Sequence, residues 1–315
     1  GWTGGGDELA QHGYTFLTRN AWLGEKDGFA RTLTRGGDVL DATPDLYDLA
    51  FALFALSWFY KATGAEGARD WMHRTADFVE THMRHPGGAG FLHERPANGP
   101  RLQNPHMHLT EAALAAFEAT GETRFRDLAT EIIGLFQTHF FDRSTQTLRE
   151  NFTETLVPVD GEAGSFCEPG HQFEWAWILD RARQNFGLDV ASDIRSLIAF
   201  AEKYGVDPQT GFTRNTVRID GTVLDGGSRC WPNTERLKAA VALHALDGVD
   251  PGPVFEQTTR LLFNKYLAHR PAGTWMDTFD ARGKPLAKIV PASTLYHVVL
   301  AFSEVLRVCE ADGIG

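Results

Sequence analysis

The sequence predicts an all-α fold in which helix pairs curve into an (α/α) toroid with short β-hairpins on one face. Two observations carry this reading. The first is a repeat. Five segments set an aromatic or apolar residue in a short polar hairpin, centred near 29, 91, 148, 212 and 275, a step of about 60 residues. The second is what fills the gaps: each hairpin follows an amphipathic stretch and precedes a more apolar one. Helices that are apolar nearly all round need cover on their outer side, and the amphipathic helices supply it. An open superhelical solenoid is the alternative. Eight Trp and the apolar inner helices favour a closed ring.

Taken in order, Asp7–Asn20 is the first outer helix. It leads to the hairpin Asp27-Gly28-Phe29-Ala30-Arg31, the turn Arg35-Gly36-Gly37-Asp38 and the inner helix Asp45–Thr63. Glu66–Met83, the hairpin around Phe91 and Pro105–Thr120 repeat the unit. In the last of these, Leu109, Ala112, Ala113, Ala116 and Phe117 recur at helical spacing. Thr123–Phe140, the Gln146–Glu150 hairpin and Gly170–Asn185 form the third pair. Ala191–Tyr204, Phe212 with the Asp220-Gly221 turn, and Pro232–Leu246 form the fourth. Pro253–His269, Trp275 with Arg282-Gly283, and Ala292–Cys309 form the fifth. Pro105 and Pro232 suit a first helical turn, where a missing N–H costs nothing.

Composition narrows the function classes. The chain has 315 residues, 43% hydrophobic, enough for a single large domain, and that is the expectation for 1–315. Its net charge of -11 repels phosphate backbones, so nucleic acid is not an expected partner. The longest apolar stretch, Leu49–Tyr60, is too short to cross a bilayer, so no membrane role is expected. Three widely spaced cysteines, Cys167, Cys230 and Cys309, give no disulfide or zinc framework and point to the cytoplasm. The chain opens at Gly1-Trp2 with neither Met nor signal peptide, so an upstream segment is expected. No nucleotide cradle and no Gly-x-Ser-x-Gly elbow occurs.

If the second helix of each pair lines the ring, its first turn lies at the mouth, and unexpected polar residues should be read there. Asn104, His108 and Glu111 share one helical face, with Asn104 as an N-cap and His106 solvated as the alternative. His171 and Glu174 stand at i and i+3, where the carboxylate can orient and charge the imidazole or can instead cap the helix. Trp175 and Trp177 follow as a stacking wall or as core. Trp231 and Glu235 lie one turn apart, with a capping role for Asn233 or Thr234 as the alternative. His297 enters a very apolar helix at the depth of His108 and His171. Such a set suits proton transfer near neutral pH. A mononuclear metal is the competing reading, but no dense His-Glu-x-x-His signature is present, and His106 and His108 diverge by about 200° on a helix. No metal and no cofactor are expected.

The ordered motifs Asn104-Pro105-His106-Met107-His108-Leu109-x-Glu111-Ala112, Pro169-Gly170-His171-Gln172-Phe173-Glu174-Trp175, Trp231-Pro232-Asn233-Thr234-Glu235 and Tyr296-His297 resemble the N-acylglucosamine 2-epimerase family. Within it they look most like the D-mannose isomerase branch. The resemblance implies an (α/α)6 barrel and cofactor-free proton transfer on a free sugar through a cis-enediol(ate), interconverting mannose and fructose. A 2-epimerase would instead reprotonate C2 on the opposite face. By similarity, His171 and His297 are the acid/base pair and Glu174 assists His171. Asn104 and His108 bind sugar hydroxyls, with Trp231 and Glu235 shaping the pocket; Glu111 and Trp175 are further expected substrate-binding residues. The resemblance also implies an Arg on an inner helix upstream of Gly1–Asn20, for which this chain has no counterpart. A first helix pair outside the given sequence is therefore expected. The expected partner is a small monosaccharide, with at most a second copy in a homodimer.

Two other classes compete. A glycoside hydrolase would draw two carboxylates from Glu111, Glu174 and Glu235. A non-catalytic sugar-binding module would use the same pocket without turnover.

Overall fold

The computed structural model describes residues 4–313. The opening Gly1-Trp2, on which the expected upstream segment rests, lies outside them. The fold is all-α with short strands. Its helices are α1 (Gly6–Phe16), α2 (Leu46–Thr63), α3 (Glu66–His82), α4 (Gln103–Thr120), α5 (Thr123–Leu135), the four-residue α6 (Glu162–Ser165), α7 (Pro169–Phe186), α8 (Ala191–Phe200), α9 (Cys230–Asp247), α10 (Gly252–Leu261) and α11 (Thr294–Asp312). The ten predicted helices are all present, each within a few residues of its expected place. α4 and α9 begin two residues before Pro105 and Pro232, which therefore still sit in the first turn.

The chain forms two compact units. Gly1–His139 with Asn151–Val159 makes the first, and Phe140–Glu150 with Asp160–Gly315 the second. In the first, α2 packs on α4, and α3 and α5 cover them from outside. In the second, α9 packs against both α7 and α11, with α8 and α10 as the outer layer. Outer and inner helices differ as amphipathicity requires. α5 buries a single stripe, Phe125, Leu128, Ala129, Ile132 and Ile133, whereas α7 is buried from Pro169 to Asp180 without a break.

Punctuation repeats with the helices. Every inner helix ends at a glycine, Gly64, Gly121, Gly187, Gly248 or Gly313, with φ between 65 and 72°. Its N–H returns to a carbonyl of the last turn, as a left-handed cap demands. Four outer helices end instead in one wide π turn: Leu17–Ala21, Phe136–Phe140, Ala201–Gly205 and Leu262–Tyr266. The predicted hairpins follow directly. Trp22 bridges Phe29, Arg84 bridges Phe91, Phe141 pairs with Leu148 and Val206 bridges Thr213. In the fifth, Met276 N–H donates to the Tyr266 carbonyl. Short strands then lead into inner helices: Arg101-Leu102 before α4, Phe166-Cys167 before α7 and Ser228-Arg229 before α9.

Candidate active site

In the second unit, α7, α9 and α11 bring their first turns together. His171 comes from α7, Trp231 and Glu235 from α9, and Tyr296 and His297 from α11. The Trp231 ring is flanked by both histidines, each with its centroid 5.2 Å away. Gly170 makes this possible: a Cβ there would meet Trp231 at 2.6 Å and the Pro232 Cβ at 2.9 Å.

Each histidine carries its own carboxylate. His171 Nδ1 lies 3.0 Å from Glu150 Oε2, and Glu150 Oε1 also accepts the Glu168 N–H at 3.1 Å. Burial is the largest single influence on His171 and pulls its pKa down. The summed charges of Glu150, Glu168 and Glu174, with the Glu150 hydrogen bond, outweigh it and raise the pKa to about 9. His297 Nδ1 lies 2.6 Å from Glu235 Oε1, and the other oxygen of Glu235 is 2.8 Å from Lys238 Nζ. Burial would raise the Glu235 carboxyl, but Lys238 and His297 hold it below its usual value. All three are buried, with Lys238 and Glu235 at 0% exposure.

Glu174 is placed differently from the sequence expectation. It accepts a hydrogen bond from Tyr296 at 2.7 Å and lies 4.0 Å from His297, while Glu150 holds His171. Glu174 adds charge to His171, while its Oε1 accepts from Tyr296 of α11. Trp175, expected beside the substrate, is completely buried, and Trp177 donates to Glu304 at 3.3 Å. Trp231 is the aromatic surface shared by the two histidines. Asn233 also caps nothing: its side chain accepts the Thr213 N–H and donates to Ser228, the Arg229 carbonyl and Tyr266, anchoring a hairpin.

The first unit holds the remaining candidates. His108 Nδ1 lies 3.5 Å from Glu111 Oε2 on α4, and its ring packs edge-on to Tyr47 of α2 at 4.7 Å. Asn104 is the second residue of α4, half-buried, so it stands inside the helix rather than capping it. His106 is not solvated. It is 1% exposed, accepts the Phe91 N–H at 3.0 Å through Nε2 and meets the Leu102 carbonyl through Nδ1. Burial first, with Arg101 and two other histidines, lowers its pKa to about 4.

Glu174, Glu235 and His297 offer three ligand-type atoms within 4.8 Å of one another. A dication among them would face the Lys238 charge and displace the His297–Glu235 hydrogen bond, so the cluster reads as an acid–base network. Sequence reasoning missed Glu150 and Lys238. Glu150 ends a predicted hairpin, and nothing local marks it as a histidine partner. Lys238 carries no local signal of its burial against Glu235. Among the described residues no helix is long and apolar enough to cross a membrane.

Two histidines, each with a carboxylate on Nδ1, flank one indole, an arrangement whose groups are suited to proton transfer. The family model for N-acylglucosamine 2-epimerase (GlcNAc 2-epimerase) matches residues 1–301, and the chain belongs to this family. It is 35% identical to a Rhizobium meliloti protein named mannose-6-phosphate isomerase, over 96% of this chain and 80% of that one. A cellobiose 2-epimerase of Ruminococcus albus is 28% identical over 63% of this chain and 53% of its own length. A crystal structure of a D-mannose isomerase superposes with a TM-score of 0.84 and 25% identity, covering 96% of this chain and 80% of that one. The chain is thus an enzyme of the sugar isomerase and epimerase class, with the fold of that family.

Proposed function

We propose that the enzyme interconverts D-mannose and D-fructose by acid–base proton transfer, without a cofactor. The observation that carries this reading is the pair His171 and His297 on one indole, each with Nδ1 held by a carboxylate. Proton exchange with a sugar then runs through Nε2 of each ring. His171, with its raised pKa, is the acid at neutral pH. His297 is the base. On the opened aldose it takes the C2 proton, the C–H electrons form the C1=C2 bond, and O1 receives a proton from His171. His297 returns the proton to C1 on the same face as the C1=C2 electrons take it, the O2–H electrons form C2=O2, and the O2 proton passes to His171, giving the ketose and restoring both histidines. Trp231 and Glu235 are assigned to binding and shaping beside the pair, and Glu174 to Tyr296 and His297 rather than to His171.

An unphosphorylated sugar is favoured because the cations beside the pair are already matched: Arg229 to Glu168 and Lys238 to Glu235. The free thiols of Cys167, Cys230 and Cys309 suit a reducing cytoplasm. A second reading, a sugar 2-epimerase, is favoured by the same two histidines, since the second can return the proton to C2 from the other face. Incubating the protein with mannose, and in parallel mannose 6-phosphate, in deuterated water separates these. Fructose with deuterium at C1 is expected. Glucose with deuterium at C2 and no fructose gives the epimerase. No exchange and no product from either sugar overturns both.

A further inference from the structure

We propose that Lys238 is a positioning residue of the acid–base pair, sharing the Glu235 carboxylate so that His297 keeps a proton affinity low enough to act as a base. Lys238 touches no reacting atom in this reading; it acts through Glu235. Lys238 and His297 meet separate oxygens of one carboxylate: Lys238 Nζ pairs with Oε2 at 2.8 Å and His297 Nδ1 is 2.6 Å from Oε1. Nζ is also fixed 4.2 Å above the Trp177 ring, whose N–H is held by Glu304. A completely buried lysine at i+3 of a buried glutamate is costly to maintain for stability alone.

The groups that face His297 can be named. Glu235 and Lys238 come from α9 and Glu174 from α7 at 4.0 Å. Tyr296 lies on its own helix and donates to Glu174, and His171 packs on the same Trp231 ring. Within this set Lys238 is the cation bound to the carboxylate that His297 uses. Without it the whole charge of Glu235 falls on the imidazole, which would then be held as imidazolium at neutral pH. Glu235 stays ionised in the buried site for the same reason: the lysine charge offsets the cost of burial.

Naming His297 a base rests on the isomerase reading; its titration does not. The test is an NMR pH titration of the full chain with labelled histidine, His297→Ala supplying the assignment. In Lys238→Met the His297 midpoint should rise by about one pH unit or more, a tenfold gain in proton affinity. In Lys238→Arg it should stay within a few tenths, about the wild-type value. An unmoved midpoint in Lys238→Met overturns the proposal. Should that variant not fold, wild-type protein labelled at lysine Cε decides: the Lys238 signal should move with the His297 midpoint, since both report Glu235. A Lys238 signal flat across that midpoint overturns the proposal equally. Turnover of mannose, followed alongside, tests the isomerase reading separately. Its absence would leave the titration result standing.

Discussion

His106 and His171 are two buried histidines in the first turns of two inner helices, 1% and 4% exposed. They nevertheless sit on opposite sides of neutrality, one lowered to about 4 and the other raised to about 9. Burial lowers both and prevails at His106, so the difference between them comes from the carboxylates around His171. His106 has a hairpin N–H donating to Nε2 and the Leu102 carbonyl beside Nδ1, a pattern that only the neutral ring satisfies. His171 has the Glu150 carboxylate on Nδ1, with Glu168 and Glu174 adding charge. One histidine is a pin for a hairpin, and the other is built to carry a proton.

The largest expected effect falls on the second kind. His171→Ala and His297→Ala should each lower kcat on mannose by about 10²–10⁴-fold with helicity unchanged by circular dichroism. Wild-type-like turnover in either would remove that residue from the mechanism.

The first kind should show its role in stability instead. In the other unit Asn233 Oδ1 accepts the Thr213 N–H at 2.9 Å, as His106 Nε2 accepts the Phe91 N–H at 3.0 Å. His106→Asn should therefore keep the hairpin and remove a source of acid lability. His106 has a folded pKa below its unfolded value. Its contribution is fully present above about pH 6.5 and is lost, by up to roughly 3 kcal/mol, as pH falls through about 4. His106→Ala strands the Phe91 N–H and should cost about 1–3 kcal/mol at pH 7 in urea unfolding, with turnover per folded molecule unchanged. Equal acid sensitivity in wild type and His106→Asn would contradict this assignment.

A smaller change sharpens the contrast. Glu150→Gln keeps a hydrogen-bond acceptor but removes the charge on His171. The basic limb of the kcat/KM profile should move down from about 9 by about one unit or more, with roughly twofold less activity at pH 8 and about tenfold less above the original limb. The raised pKa also adds stability that is fully present below about pH 6.5 and is lost as pH rises through about 9. The variant should flatten that slope.

The comparison also shows what a sequence can disclose. The helix pairs and hairpins were legible because they repeat, and because apolar periodicity and glycine turns are local signals. Trp231 and Glu235 were legible as a pair because one turn of α9 places both against His297. What local pattern could not give was partner choice across elements. Glu174, three residues from His171, looked like its carboxylate, yet Glu150 from a hairpin 21 residues earlier takes that place. His106 was expected to be solvated at a helix start, but the Phe91 hairpin donates its N–H to the ring and the residue is buried. Lys238 drew no notice because only the fold buries it against Glu235 and Trp177.

The most direct test of this account is a pH titration of the histidine ring signals in the intact protein. His171 should titrate near pH 9 and His106 near pH 4, bracketing the ordinary value of about 6.5. A His171 midpoint at or below about 6.5 would contradict the claim that its carboxylate partner, rather than its burial, sets its charge.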